Sequence, residues 1–254
     1  MTDTAPSPRT VIEAFLPFDG DVDLGLVYDT ANAAGLEDQP LRLAIRRMIT
    51  AGEVVQSGRG RGGRLALTPV GRDRLRRDRL ALRLAFAQDA GRAPWDGAWR
   101  LLAFSVQEDE RAVRDSLRRQ LVGAGAAPIA PGLYVSPHDL TGMLDTPAHL
   151  ITATATELNV RGVTDPHTLA EQLWPARPII DAYAVAESVL ATADPDPLVQ
   201  QLRLAEALEQ ALRDDPLLPP ELRPGPWAPA RTRGAWLTAW SARSEDRLYR
   251  GWLT

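Results

Sequence analysis

The sequence predicts an α+β protein in three parts: an amino-terminal winged helix-turn-helix, a central ferredoxin-like α+β domain and a helical carboxy-terminal domain. Three observations support this prediction. An arginine-rich amphipathic pattern precedes two short strand patterns, strand and helix patterns alternate in the middle of the chain, and helical patterns prevail from residue 178 onward. The predicted domain boundaries are 1–90, 91–165 and 166–254.

Positive charge is concentrated in one segment of a chain whose net charge is −4. Residues 42–83 carry twelve arginines and three acidic residues, whereas residues 1–41 carry one arginine and eight acidic residues. All 29 basic residues are arginine, for which high genomic GC content is the simple explanation and the fit of guanidinium to phosphate the functional one. A basic block of this kind indicates a polyanionic partner, with a solvated helix face as the alternative.

The first element of the basic block is a predicted helix over residues 39–51. Asp38 can cap its amino terminus, Pro40 falls in the first turn, and Gly52 lies where the helix is expected to end. The helical period places apolar residues on one face: Leu41, Ala44, Ile45, Met48 and Ile49. The opposite face holds Gln39, Arg42, Leu43, Arg46, Arg47 and Thr50.

The surroundings of this helix predict a winged helix. An apolar helix ending near Gly35 precedes it after a short turn, and the strand-prone runs "EVVQS" and "RLALT" follow, separated by "GRGRGG". In such a module the second helix enters the major groove, so that Gln39, Arg42, Leu43 and Arg46 face base edges. The wing would place Arg59, Arg61 and Arg64 on phosphates or in a minor groove. An ordinary hairpin with solubility charges is the alternative.

Acidic residues precede the basic block and would repel phosphate. They include Asp19, Asp21, Asp23 and Asp29. If the block binds DNA, we expect these carboxylates to lie away from the DNA or to limit binding to one geometry.

The middle of the chain predicts a small α+β sandwich. Residues 69–90 form a predicted linking helix, and "AWRLLAFSV" is a strand that is apolar on both faces. The segment "EDERAVRDSLRRQLVGAG" is a helix with acids at its start and arginines at its end. One or two short strands in "APIAPGLYVSP", a short helix at 138–145, the strand "HLITATATEL" and a helix near 166–174 follow. The run "LNVRGV" either extends the last strand or begins a fourth.

Beyond residue 178 the sequence predicts helices in "PIIDAYAVAESVLAT", "DPLVQQLRLAEALEQALRDD" and "APARTRGAWLTAWSARSEDRLYRGWL". The intervening "DPLLPPELRPGPWAP" holds six prolines in fifteen residues, which predicts an extended strap.

Three segments carry a more specific signal: "PWDGAWRLLAF", "APGLYVSPHDL" and "LRDDPLLPPELRPGPWAPARTRGAWLTAW". In this order, over nearly the whole chain, they resemble the PaaX family of bacterial transcriptional repressors, named for phenylacetic acid degradation. The resemblance implies an amino-terminal winged helix, a central ferredoxin-like domain similar to Cas2 nucleases, and a helical carboxy-terminal domain. It also implies a homodimer on palindromic double-stranded DNA operators and, for the phenylacetate members, release by phenylacetyl-coenzyme A.

The first seventy residues depart from the family pattern. The family's recognition helix runs R-T-A-x-x-R-L, and this chain has "RLAIRRM", so Arg42 and Arg46 keep the arginine pattern while Leu43 replaces a polar base reader. Leu65 and Ala66 stand where the family wing has aromatic residues. These differences predict an operator sequence other than the family's usual one.

The sequence does not indicate an enzyme, a metal site or a bound cofactor. His138, His149 and His167 are the only histidines, and none forms an H-x-x-x-H pair. The segment "GRGRGG" lacks the lysine and the Ser/Thr of a phosphate loop. A Cas2-like nuclease would need an acid at the end of the first central strand, where Ser105 and Gln107 stand, with acids only from Glu108.

An effector site is expected among the tryptophans and arginines of the last third of the chain. A coenzyme A thioester needs arginines for its phosphates and an apolar slot for its acyl group. The candidate residues are Trp174, Arg177, Arg223, Trp227, Arg231 and Arg233. Core packing is the alternative role for most tryptophans.

The sequence therefore predicts a cytoplasmic, homodimeric DNA-binding regulator, a repressor that a small-molecule effector releases, with an acyl- or aryl-coenzyme A thioester as the candidate effector. No membrane partner is expected, because no long apolar run or signal peptide is present, and the lack of cysteine fits a reducing compartment. The alternative is a ligand-binding or protein-interaction module that does not bind DNA and uses the winged helix as an assembly surface.

Overall fold

The computed structural model describes residues 5–104, 110–144, 149–192, 194–242 and 248–249. These residues divide into two compact units. The first unit takes the described residues within Met1–Leu80, Ala184–Gln210 and Thr232–Thr254, and the second takes those within Ala81–Tyr183 and Ala211–Arg231. The three domains at 1–90, 91–165 and 166–254 stay a prediction.

The amino-terminal part of the first unit combines four helices with a small sheet. In chain order it has α1 (Pro8–Phe15), β1 (Asp21–Asp23), α2 (Leu24–Ala33), α3 (Asp38–Thr50), β2 (Val54–Ser57), a 3₁₀ turn (Gly60–Gly62), β3 (Arg64–Leu67) and α4 (Pro69–Asp78). The strands form an antiparallel sheet in the order β1-β3-β2. The order of elements α2, α3, β2, β3 is the order that the amino-acid sequence predicts.

Helix α3 is held by its apolar face and differs from the predicted helix at both ends. Leu41, Ile45 and Met48 are buried. The prediction that Asp38 caps the helix is wrong, because Glu37 occupies the cap position without a side-chain hydrogen bond and Asp38 is the first helical residue. Ile49, assigned to the inner face, is exposed because it lies at the edge of the apolar stripe in the last turn.

The second unit contains a four-stranded antiparallel sheet with one long helix. Its elements are α5 (Leu80–Asp89, which starts at the end of the first unit), β4 (Trp99–Phe104), α6 (Arg111–Gly123), β5 (Ala127–Ala130), β6 (Leu133–Ser136), β7 (Leu150–Ala155), α7 (Pro166–Leu173) and α8 (Ala176–Ala182). The sheet order is β5-β6-β4-β7. Strand β6 thus separates β4 from β5, the two strands that α6 connects, as in a split βαβ unit.

Strand β4 and helix α6 supply much of the core of this unit. Leu102, Leu121 and Tyr134 are buried in one cluster, with Phe104 and Leu150 packed against it. The predicted central strand is confirmed, because β4 pairs with β6 on one side and with β7 on the other.

Several predicted elements have different limits in the structure. The segment "APIAPGLYVSP" forms two strands, β5 and β6. Within the predicted helix 138–145, the described residues show only a 3₁₀ turn at Thr141–Met143, and residue 145 lies outside the described part. The run "LNVRGV" forms an isolated bridge between Val160 and Val163 instead of a strand.

Two predicted single helices are each broken in two. The predicted linking helix 69–90 is α4 followed by α5, and the break falls at Arg79, whose guanidinium is buried over the ring of Tyr249 at 4.5 Å. The helix predicted in "PIIDAYAVAESVLAT" is broken at Tyr183, which ends α8 and donates a hydrogen bond from its hydroxyl to Asp215 (2.7 Å). The remaining helices are α9 (Ala184–Ala191), α10 (Pro197–Arg213) and α11 (Ala228–Ser241), with a 3₁₀ turn at Pro220–Leu222 in the proline-rich strap.

Candidate nucleic-acid interface

The outer face of α3 presents polar and basic side chains to solvent. The exposed residues on this face are Gln39, Arg42, Leu43, Arg46, Arg47 and Thr50. They alternate with the buried residues that anchor the helix, so that the period of 3.6 residues separates an inner from an outer face. Arg42 is joined to Asp38 one turn earlier, at 3.1 Å. For Arg46 and Arg47, no ion pair occurs within the described ranges.

The β2–β3 hairpin, called the wing below, lies next to this helix in the chain. Its register pairs Val54 with Leu67 and Ser57 with Arg64. Leu65 and Leu67 are buried, which turns Arg64 toward solvent because side chains alternate along a strand. At the tip, a Cβ on Gly63 would lie 3.0 Å from the carbonyl oxygen of Ser57, so this close turn favours glycine.

Arg61 at the tip of the wing contacts both α2 and α3. Its guanidinium hydrogen-bonds Asp29, the amide oxygen of Asn32 (2.7 Å) and Asp38 (2.9 Å). It also lies 5.3 Å from the centre of the Tyr28 ring. The wing tip is therefore joined to the helix pair through one arginine.

Arg64 forms a second pair across the sheet. Its Nε donates to Asp21 at 2.8 Å, across the diagonal of the β1–β3 pair, in which Asp23 is the register partner of Arg64 and Asp21 lies two residues away on the same face of β1. Hydrogen bonding by Arg64 lowers the pKa of Asp21 below its usual range. The pKa of Asp38 is likewise lowered, chiefly by the hydrogen bond from Asn32 and then by the charges of Arg61 and Arg42. Both carboxylates thus remain charged at neutral pH.

These contacts bear on the expectation that the acidic residues lie away from the interface. Asp21 and Asp29 contact the wing arginines, which favours the second alternative, a limit to one binding geometry, and the expectation stays a prediction. Asp23 instead caps α2, accepting a hydrogen bond from the backbone of Gly25 at 2.8 Å. Sequence reasoning missed β1 and hence the partners of Arg64; the valine between two aspartates was the only signal, because Val22 is buried and its neighbours are exposed.

Arg59 is the wing arginine with the greatest freedom. It is exposed between Gly58 and Gly60, both of which have positive φ. No ion pair of Arg59 occurs in the described part of the chain. On the outer face of α3 and the wing, three arginines therefore have no carboxylate partner among the described residues: Arg46, Arg47 and Arg59.

The candidate effector residues have different surroundings from one another. Trp174 is buried, stacks on Trp99 at 6.4 Å between ring centres, and donates its indole N–H to Gly125 (2.9 Å). Arg177 is exposed and paired with Asp181 at 2.9 Å. These contacts assign Trp174 a packing role in the second unit.

Arg223 and Trp227 are the two candidates that contact each other. The Arg223 guanidinium lies 5.5 Å from the centre of the Trp227 ring and donates to the backbone of Leu218 and to Gln88. Arg231 is exposed in the second unit, whereas Arg233 is fully buried in the first. The indole nitrogen of Trp227 is buried without a hydrogen-bond partner among the described residues.

The described residues contain no group of three His, Cys, Asp or Glu side chains that could hold a metal ion. None of their helices combines the length and the apolar character needed to cross a membrane. Ser105, Gln107 and Glu108, the positions considered for a nuclease, lie outside the described residues.

The fold defines a mixed α+β protein with a split βαβ sheet in the middle of its chain. Residues 92–164 match the family described as "PaaX protein central Cas2-like domain". These residues therefore resemble the central domain of the PaaX family, and the resemblance predicted from the sequence is confirmed for this part of the chain.

The chain is similar to the structure of the uncharacterized protein Rv0674 from Mycobacterium tuberculosis, with 24% sequence identity and a TM-score of 0.61. The similarity covers 96% of this chain and 98% of that chain. At this identity it shows the fold alone. No curated protein matches the chain.

Proposed function

We propose that the protein is a DNA-binding transcriptional regulator in which α2, α3 and the wing form a winged helix-turn-helix. The PaaX central domain supports a regulator as the class of protein. The observation that carries the proposal is the exposed basic face of α3 beside a glycine-rich, arginine-bearing hairpin. Both elements of a winged helix that meet DNA are thereby cationic.

The residues take different roles in this proposal. Gln39, Arg42, Leu43 and Arg46, in the amino-terminal half of α3, face base edges in the major groove. Arg47, farther along the same face, contacts the backbone. Arg59 contacts phosphate, because the flanking glycines let the backbone approach closely and no carboxylate among the described residues competes for it.

Arg61 and Arg64 contact DNA phosphate only by giving up part of their carboxylate contacts. Their side chains are about half exposed, so these pairs are partly solvated and contribute little to stability. Phosphate can therefore compete with Asp29 and Asp21 at modest cost. The acidic residues limit the wing to an orientation in which such an exchange is possible, and this limits non-specific binding.

We further propose that the protein acts as a homodimeric repressor and that an effector releases it from a palindromic operator. The candidate effector is an acyl- or aryl-coenzyme A thioester. Trp227 supports a ligand role, since its buried indole N–H is an unpaired donor beside the guanidinium of Arg223. Trp174 and Arg177 have other partners in the structure, so we place the effector nearer to Trp227, whose indole N–H is the unpaired group.

A salt titration of DNA binding tests the proposed function. The purified protein is footprinted on the DNA upstream of its own gene, and its affinity for the protected duplex is measured at several salt concentrations. We expect the logarithm of affinity to fall linearly with the logarithm of salt, with a slope of about −0.9 for each phosphate neutralised. Absence of binding to any duplex at low salt would contradict the proposal.

A second candidate function is an assembly surface that binds protein instead of DNA. Exposed apolar side chains favour it: Leu43 is 44% exposed on α3, Ile49 40%, and Val55 56% on the wing. The pairing of Arg61 and Arg64 with carboxylates also reduces the charge offered to DNA. The salt titration separates the two, because the assembly module binds no duplex at the outset.

A further inference from the structure

A cavity of about 700 Å³ opens in the second unit, at a place that the proposed function does not use. Its walls come from α6, from the β5–β6 hairpin and from the turn around residue 161. This volume lies within the range of small-molecule sites in proteins. It can hold a ligand of the size of one nucleotide.

Three arginines from two separate elements meet at this cavity. Arg114 and Arg118 lie one turn apart on α6, at the edge of the stripe that buries Leu117 and Leu121. For Arg118, which is exposed, no ion pair is found in the described ranges.

The third arginine reaches the cavity from an unusual backbone conformation. Arg161 has a φ of 54°, in the left-handed region that residues other than glycine seldom adopt. The turn that holds it is closed by hydrogen bonds between Val160 and Val163, of 3.0 and 3.1 Å. A solvated helix face explains Arg114 and Arg118 but does not explain why a separate, constrained turn adds a third guanidinium to the same cavity.

The charge and the apolar surface of the cavity specify a class of ligand. Asp115 is the one carboxylate among the described residues that line the cavity. It lies 4.0 Å from the guanidinium of Arg111, a residue that does not line the cavity. The positive excess suits a dianion such as a phosphate monoester, which guanidinium groups bind through paired hydrogen bonds. Phe104, which is half-buried, lines the same cavity and packs on the buried ring of Tyr134 with ring centres 5.9 Å apart, and an aromatic side chain so placed can stack with a nucleobase.

We propose that this cavity is a binding site for a nucleoside monophosphate. Arg114, Arg118 and Arg161 hold the phosphate, and Phe104, which packs on Tyr134, supports the base. The site lies apart from α3 and the wing in the sequence, and its existence does not depend on DNA binding. It is also separate from the residues Arg223 and Trp227 considered above for an effector.

Calorimetric titration with adenosine 5′-monophosphate tests this site on the full chain. We expect binding by the wild type, and at least about a tenfold weaker affinity when Arg118→Ala and Arg161→Ala are combined, because two charge-assisted contacts are lost. Arg119→Ala is the matched control: it removes an exposed arginine from the same helix that does not line the cavity. Its affinity should stay within about twofold of the wild type. Thermal melting verifies that each variant is folded.

Two further titrations test the two halves of the proposed ligand. Inorganic phosphate and adenosine should each bind more weakly than the nucleotide. Equal affinity for phosphate and nucleotide would overturn the role of Phe104 and Tyr134. No binding of the nucleotide at millimolar concentration, or equal binding by the wild type and the folded double variant, would overturn the site itself.

Discussion

The guanidinium of Arg61, at the tip of the wing, donates a hydrogen bond of 2.9 Å to the carboxylate of Asp38, the first residue of α3. The same guanidinium reaches Asp29 on α2. One side chain thus joins the wing to both helices of the proposed helix-turn-helix. If this region binds DNA, Arg61 has two possible partners, carboxylate and phosphate, and the balance between them sets how strongly the wing contributes.

The first prediction follows from this competition. Asp29→Asn should raise the affinity for duplex DNA of any sequence by about two- to fivefold, since exposed ion pairs are worth about 0.2–1 kcal/mol. Fluorescence anisotropy at two salt concentrations measures the change. Asp19→Asn is the control, because it removes the same charge from an exposed residue that has no ion pair within the described ranges. Equal gains in both variants would show that net charge, and not the release of Arg61, is responsible.

The second prediction separates base reading from backbone contact. Arg46→Ala should weaken binding to the operator and reduce discrimination at one base pair by about 1–3 kcal/mol, because Arg46 is proposed to face a base edge. Arg61→Ala should weaken binding to all sequences alike. Competition assays with cognate and random duplexes measure both effects. The assigned roles would be contradicted if each variant lost the same affinity on both duplexes.

The sequence predicted the parts of this region that depend on local periodicity. The outer face of α3 follows from the 3.6-residue repeat, and the residues assigned to that face are exposed in the structure. The partners of Arg61 and Arg64 could not be predicted in this way. They depend on the register of β1 against β3, which places Asp21 near Arg64 although 43 residues separate them in the chain.

Other differences between prediction and structure have the same origin. The pattern of residues 69–90 is helical throughout, yet the helix breaks at Arg79, because tertiary contacts bury that arginine over Tyr249 and join its guanidinium to the backbone of Glu13 at 3.3 Å. Likewise, the sequence predicted α6 as a helix with charged ends. The cavity beside it also requires Arg161, from a turn that lies far from α6 in the chain, so no local pattern could have indicated it.

The third prediction concerns the pH dependence of stability. Burial lowers the pKa of His138 below its usual value of 6.5, with Arg223 and Arg100 acting in the same direction, and its neutral ring donates from Nε2 to the carbonyl of Leu217 at 2.7 Å. The His138 ring therefore binds a proton near pH 6.5 in the unfolded chain, but only at a lower pH in the folded chain. The stabilisation from neutral His138 is complete above pH 6.5 and is lost as the pH falls through the lowered pKa of the folded state.

Urea unfolding between pH 5 and pH 8 tests this prediction. The free energy of unfolding of the wild type should decrease below about pH 6.5, and His138→Gln should reduce that decrease, since glutamine has no proton to gain. His167→Gln alters an exposed histidine and serves as the control. An unchanged pH profile in His138→Gln would show that other groups determine the acid sensitivity.

The fourth prediction concerns the close packing of α4 against the backbone of Glu53, the residue that precedes the wing. Gly71 is buried in the first turn of α4, where Thr68 caps its N–H at 3.1 Å, and a Cβ at this position would lie 2.0 Å from the carbonyl oxygen of Glu53. Because backbone cannot move aside as a flexible side chain can, Gly71→Ala should destabilise the protein by about 1–3 kcal/mol or more and weaken DNA binding through displacement of the wing. Gly62→Ala is the matched control, since its Cβ would meet no atom within 4 Å. Thermal melting measures the stability of both variants, and fluorescence anisotropy measures their DNA binding. Equal stability of Gly71→Ala and Gly62→Ala would contradict the prediction that α4 must lie this close to the backbone of Glu53.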